Sequence, residues 1–180
     1  LVELHGDLPQ ILAQLTLAQA YNLIVRDCPA EIPFVVWLVE NPNSLFALPG
    51  KIHLRQHDYL HLLLGRGFSA SDEAYVIGLT MGNDLSTKRW HIWLFKLVSR
   101  FLYPPKFRFN RTDLATFDLG VARGRKLPIK NLNQLDFTEY QDWQLSSLRN
   151  GLKLAEASAK RKYNVMASIE RWCILFSKKQ

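Results

Sequence analysis

The decapeptide Gln56-His57-Asp58-Tyr59-Leu60-His61-Leu62-Leu63-Leu64-Gly65 constrains this chain more than any other stretch. Read as α-helix, at about 100° per residue, it places His61 about 40° and Asp58 about 100° round from His57. The three polar groups therefore share one arc. Ile52, Leu54, Tyr59, Leu60, Leu62, Leu63 and Leu64 occupy most of the remaining circumference, the pattern of a helix buried on nearly every side. Two imidazoles and a carboxylate inside such a helix need partners, because unpaired buried polar groups are costly. One divalent cation would satisfy all three. The competing expectation is a pair of hydrogen-bonded core histidines.

At i and i+4, His57 and His61 stand about 6 Å apart along the axis, a workable spacing for two ligands of one ion. Asp58 is expected either as a third donor or as a group orienting an imidazole from behind. Glu73 would complete the set from the next helix, after a turn that Gly65 and Gly67 permit. Its other reading is a carboxylate that favours a helix N-terminus. Two imidazoles with carboxylates suit zinc first, then iron(II) or manganese; magnesium prefers a more oxygen-rich set. His53 continues the stripe one turn back and reads as a surface or supporting residue. His5 and His91 have no visible companions.

The rest of the chain carries helical signals and no strand alternation of useful length. Asp7 before Leu8-Pro9 looks like a cap and first-turn proline for a helix running to Arg26. Pro33 opens a short apolar helix over Phe34 to Glu40, and Pro49-Gly50 is a turn. Ser69 with Asp72 predicts a capped start for a helix in which Ala74, Gly78 and Gly82 recur every four residues. That stripe is either a seam for close helix packing or the lining of a lipid channel. Ser86 or Thr87 is expected to cap an aromatic helix whose apolar face is Trp90, Trp93, Leu94, Leu97, Val98 and Phe101, ended by Pro104-Pro105. Thr112 is expected to cap a helix closing near Gly124, and Asp136 with Glu139 one that stops at Asn150-Gly151. The tail beyond residue 154 reads as a basic, helix-prone extension. The expectation is one all-α domain over residues 1–180.

Composition bounds the function classes. Apolar residues make up 48% and charged residues 22% of 180, an ordinary globular balance. The formal charge of +7 favours an acidic partner such as anionic lipid or a phosphate-bearing ligand. Two cysteines, Cys28 and Cys173, are too few for a disulfide framework and point to a reducing compartment. No signal-peptide pattern stands out, although a chain opening at Leu1 leaves room for a segment upstream. The longest apolar run, Trp90 to Tyr103, is broken by Lys96 and Arg100 and falls short of the roughly 20 residues that span a bilayer. Any membrane contact is expected to be peripheral.

The motif His57-Asp58-x-x-His61, eleven residues, then Glu73 resembles the HDxxH-x11-E signature of the coenzyme Q (ubiquinone) biosynthesis protein family, the fourth member named in that pathway. Leu63-Leu64-Gly65 is similar to family usage. So are Val121-Ala122-Arg123-Gly124-Arg125 and Tyr140-x-x-Trp143-x-x-x-x-Ser147-Leu148-Arg149. The resemblance covers roughly residues 50–154. Asn41 to Gln56 is shorter than the family's usual helix there, and the tail after Leu154 has no counterpart.

The resemblance implies an all-helical protein on the inner face of a membrane, in cytoplasm or organelle matrix. His57, Asp58, His61 and Glu73 would hold a divalent ion, with Glu73 or Asp58 also a candidate acid or base. A neighbouring channel would take a prenylated lipid or quinone precursor; Ala74, Gly78 and Gly82 are expected to line it on the ground of their small size and their place beside Glu73 alone. The activity implied is oxidative C1 decarboxylation of a prenylated hydroxybenzoate. The alternative is a non-catalytic scaffold, as a homodimer or within a quinone-biosynthesis complex. A histidine–aspartate phosphohydrolase would need further ligands that only His5 and His91 could supply. A nucleic-acid module is disfavoured because no helix-turn-helix or RNA-binding pattern stands out.

Overall fold

Helix α3 (Ala70–Asn83) is the wall on which the molecule is built. Every residue from Ala74 to Met81 is buried, as are Asp72 and Asn83. One side of it, through Tyr75, Val76 and Leu79, joins a core with Leu17, Tyr59, Leu60, Leu63, Phe137 and Leu148. The other, through Ala74, Ile77 and Met81, joins a second core with Phe95, Phe109, Phe117 and Val121. A helix apolar all round belongs in the middle of a fold.

The computed structural model describes residues 14–25 and 48–154. Around α3 lie α1 (Leu17–Val25), α2 (Leu54–Leu64), α4 (Arg89–Phe101), α5 (Arg111–Lys126) and α6 (Leu145–Gly151), with 3-10 turns at Pro105–Phe107, Leu132–Gln134 and Phe137–Tyr140. Among the described residues there is no strand, only an isolated bridge between Thr16 and Gln144. The fold is all-α. The expected start of the first helix at Asp7, the helix over Phe34 to Glu40 and the basic tail lie outside the described residues.

Helices α3 and α5 run parallel and nearly merge. A Cβ built on Gly78 or Gly82 would collide with the carbonyl oxygen of Phe117 or Val121. One on Gly120 or Gly124 would meet that of Tyr75 or Leu79. Four glycines thus bring two backbones together at a distance no side chain allows. This corrects the channel expected at Ala74, Gly78 and Gly82. Ala74 is fully buried in the second core, and α5 fills the groove along the two glycines, so no lipid can lie there. It also moves Gly124 from the end of α5 to its interior.

Local capping differs from expectation in places. Ser69 Oγ accepts the Asp72 N–H at 3.2 Å, as the sequence predicts. The cap of α5 is Asn110, whose Oδ1 accepts the N–H groups of Thr112 and Asp113, while Asp113 Oδ2 accepts the Asn110 N–H at 2.9 Å. Thr112 therefore sits inside the first turn. Helix α4 begins at Arg89, later than a Ser86 or Thr87 cap would place it, with the His91 ring accepting the Lys88 N–H. Its buried side is Phe95, Val98 and Ser99; Trp90, Trp93, Leu97 and Phe101, expected inward, face out. The pattern around Asp136 forms a 3-10 turn, and α6 starts only at Leu145.

Two hubs hold the loops. Asn83 Nδ2 donates to the carbonyls of Gly124 and Ile129, and its Oδ1 accepts the Leu132 N–H at 2.7 Å. Asp84 accepts from the Gly50 N–H, the Ser86 N–H and hydroxyl, and Asn133 Nδ2.

Candidate metal centre

Helix α2 is buried along Tyr59, Leu60, His61, Leu63 and Leu64, but its first turn, with Leu54 and Arg55, is exposed. It stops at Gly65, whose φ of 61° is left-handed and suits glycine. Past that stop, Arg149 from α6 donates through its guanidinium to the carbonyls of Leu62 and Leu63 at 2.8 and 2.9 Å. A cation at the carbonyl end of a helix is favourably placed. The turn through Gly67 and Phe68 then brings the chain back to Ser69, and the first turn of α3 carries Glu73 over the imidazoles.

Three side chains converge. Glu73 Oε2 lies 3.5 Å from His57 Nε2 and 3.4 Å from His61 Nε2. The ligand atoms of His57, His61 and Glu73 all lie within 4.8 Å of one another. The His61 ring is fully buried, stacks on Phe68, and shares a 2.7 Å hydrogen bond between Nδ1 and the Gly67 carbonyl. A carbonyl only accepts, so Nδ1 carries a proton, and Nε2 faces Glu73, as N–H where the ring is protonated and as a lone pair where a cation lies between them. This is the arrangement by which a backbone carbonyl fixes a ligating imidazole.

The distances decide what the cluster suits. Charge-assisted N–H···O bonds run to about 2.7–2.9 Å, so 3.4 and 3.5 Å are too long for strong ion pairs. Both Nε2 atoms are buried and without a hydrogen-bond partner. Yet the two Glu73 separations lie near the roughly 3.4 Å edge of a tetrahedron with bonds of about 2.1 Å, while the set as a whole spans up to 4.8 Å, so an ion would draw the donors slightly together. The three donors can therefore hold a divalent ion, and the two orphaned nitrogens fit that chemistry better than they fit a hydrogen-bonded core.

Electrostatics agrees with a polarised cluster. Burial pushes His57 down to about 4, against the pull of Glu73, so that ring is neutral at pH 7. Burial would also depress His61, but the Glu73 carboxylate and the Gly67 carbonyl raise it instead. Burial alone would raise Glu73; His61 and then His57 outweigh it and hold the carboxyl down at about 2.

Asp58 stands apart from the compact set. Its Oδ1 is 4.0 Å from His57 Nδ1, on the opposite side of that ring from Glu73. Burial raises its carboxyl to about 6. At 4.0 Å it makes no hydrogen bond to His57, and it lies outside the three-residue set. His53 precedes α2 and lines an open polar cleft of about 590 Å³ with Lys51, Gln56, Asp84, Asn133 and Asp136, away from the triad. His91 lies at the start of α4 beside Trp90.

No helix among the described residues is long and apolar enough to cross a membrane. Compared with models of known families, with curated proteins and with solved structures, the chain matches none. Sequence reasoning named Gly67 only for its turn and Arg149 only within the later motif, and missed that the Gly67 carbonyl bonds His61 and that Arg149 anchors α2. A glycine six residues after a candidate ligand carries no signal for a carbonyl contact, and an arginine 86 residues away carries none for a helix end.

Proposed function

We propose that the chain binds one divalent metal ion, zinc foremost, through His57, His61 and Glu73. On that centre it would act in quinone biosynthesis, on a prenylated hydroxybenzoate whose C1 carboxylate leaves as carbon dioxide and is replaced by a proton; the oxidative course, with a hydroxyl in its place, would need dioxygen as oxidant and a redox-active ion such as iron(II). The observation that carries the ion is the pair of buried Nε2 atoms that make no hydrogen bond and face one carboxylate at 3.4 and 3.5 Å. The observation behind the substrate is the register of the HDxxH-x11-E motif, whose second half the chain folds back onto the first.

When bound, such an ion supplies Lewis-acid polarisation of phenolate or carboxylate oxygens. The chain's own residues do the rest. Gly67 and Phe68 hold the His61 ring in one tautomer and one plane. Asp58, held near neutrality by burial, can keep or release a proton beside His57. Glu73 is committed to the imidazoles and is a ligand rather than the acid or base. The prenyl chain has no place along Gly78 and Gly82, so the reading assigns it no residues.

The test is elemental analysis and titration of the purified protein. About one divalent ion per chain is expected, with affinity falling at least about tenfold in Glu73→Gln. Protein that arrives without metal and takes up none rejects the centre. Turnover of a prenylated hydroxybenzoate by loaded protein, with carbon dioxide released, tests the chemistry separately. An ion without turnover would support the scaffold reading instead.

A further inference from the structure

Helix α4 carries more apolar surface than its core consumes. At about 100° per residue, counted from Trp90, the residues packed inward (Leu94, Val98, Phe95, Ile92) fall between about 40° and 200°. A second apolar strip, Trp93, Leu97, Trp90 and Phe101, falls between about 300° and 20°. Those four side chains are 39% to 64% exposed. The strip is about 16 Å long. Arg89, Lys96 and Arg100 occupy the sector beside it, at about 240° to 280°; Lys96 pairs with Asp118 at 2.7 Å and Arg100 donates to the Phe109 carbonyl at 3.0 Å, so the exposed Arg89 is the cation of this sector turned most fully outward. Going round the helix, one meets core, exposed aromatic strip, then cations.

The surrounding sequence has the same sign. From residue 85 to residue 112 there are seven Lys or Arg and no Asp or Glu, in a chain whose whole formal charge is +7. Tryptophan beside arginine and lysine on a helix lying in the plane of the surface is the composition of an interfacial helix on anionic lipid. Tryptophan is also the side chain enriched at the headgroup level. A second copy of the chain fits less well, since a two-fold contact would set this basic face against itself. An anionic bilayer complements it.

We infer that α4 docks on an anionic lipid surface, with Trp90, Trp93, Leu97 and Phe101 entering the headgroup boundary and the exposed Arg89 meeting the phosphates. This extends the proposed function by naming the face and the charge of the lipid. It depends on nothing at the triad, so metal content and membrane docking succeed or fail separately.

Flotation of the whole chain with vesicles tests it. The probes are phosphatidylcholine containing about a third phosphatidylglycerol, and phosphatidylcholine alone. Expected are binding to the anionic vesicles, weakening in high salt, and at least about tenfold weaker binding for both Trp93→Glu and Arg89→Glu. Trp143→Glu changes an exposed tryptophan away from α4 and should bind like the parent. Circular dichroism establishes that each variant is folded; should Trp93→Glu unfold, Arg89→Glu decides alone. The inference is overturned if the parent ignores anionic vesicles, if it binds neutral ones as well, or if neither α4 variant weakens binding. It is equally overturned if sedimentation shows a dimer that Trp93→Glu splits, since the occupant is then a second copy.

Discussion

His61 and Glu73 face one another at 3.4 Å yet depend on their surroundings very differently. The His61 ring is fully buried, bonded to Gly67 and stacked on Phe68, so it is part of the core whether or not an ion is present. The Glu73 side chain is 30% exposed, and its close partners in the cluster are the two imidazoles. His61→Ala should therefore lower the stability of metal-stripped protein by about 2–3 kcal/mol, for the lost packing and hydrogen bond together. Glu73→Gln should cost about 1 kcal/mol or less under the same conditions, while weakening metal binding as strongly. Urea unfolding in the presence of a chelator checks both. Equal losses of stability would mean that the carboxylate, too, is structural.

Among the elements, the α3–α5 seam sets the strictest demand. Both helices present a glycine every fourth residue, Gly78 and Gly82 facing Gly120 and Gly124, and each meets backbone rather than a yielding side chain. Gly78→Ala or Gly120→Ala should force the helices apart and cost at least about 1–3 kcal/mol, the range for overpacking. Gly151→Ala, at an exposed position with nothing within 4 Å, should stay within about 0.5 kcal/mol. Thermal unfolding of the three variants makes the comparison. The stripe on α3 is plain in the sequence, but its use is not. A run of small residues says that something comes close, and only the parallel placement of α5 says what. The aromatic face of α4 misleads for the opposite reason. Its apolar arc is wider than the core it covers, so periodicity identifies the helix correctly and its buried side wrongly. Capping signals locate the starts of α3, α4 and α5 to within a residue or two, because Asn, Ser and Thr near one another compete for the same N–H groups; the signal at Asp136 instead opens a 3-10 turn well before α6.

At the scale of the whole molecule, Asp84 joins the end of α3 to the turn before α2 through Gly50, to the α3–α4 connection through Ser86, and to the loop after α5 through Asn133. Burial alone would raise its carboxyl; the Ser86, Gly50 and Asn133 donors outweigh this and hold it below the usual 3.8. A depressed folded value means that its stabilisation is complete above about pH 4 and is lost as pH falls through the ordinary value toward the folded one. Asp84→Ala should cost about 2–3 kcal/mol at pH 7, and the gap to the parent should close as the pH is lowered below about 4. Melting temperatures of the two proteins from pH 7 to pH 3 would show it; a gap that widens in acid contradicts the assignment. The local half of the candidate centre, His57 and His61 on one helix, was legible in the letters because four-residue spacing fixes a shared face. Glu73 was legible as a candidate from the Gly65 and Gly67 turn and was strengthened by the motif, since an eleven-residue separation does not by itself dictate how a turn folds back. The supports from Gly67 and Arg149 are tertiary and left no local trace.

The glycine seam has one more consequence. Glu73 rides on the stiff α3–α5 pair, whereas His57 and His61 ride on α2, which Arg149 ties to α6. The three donors thus come from two differently braced helices that share one core and are linked by the short turn through Gly67. A cation seated among them would act as a clasp, and its grip would register any slippage of one helix along the other.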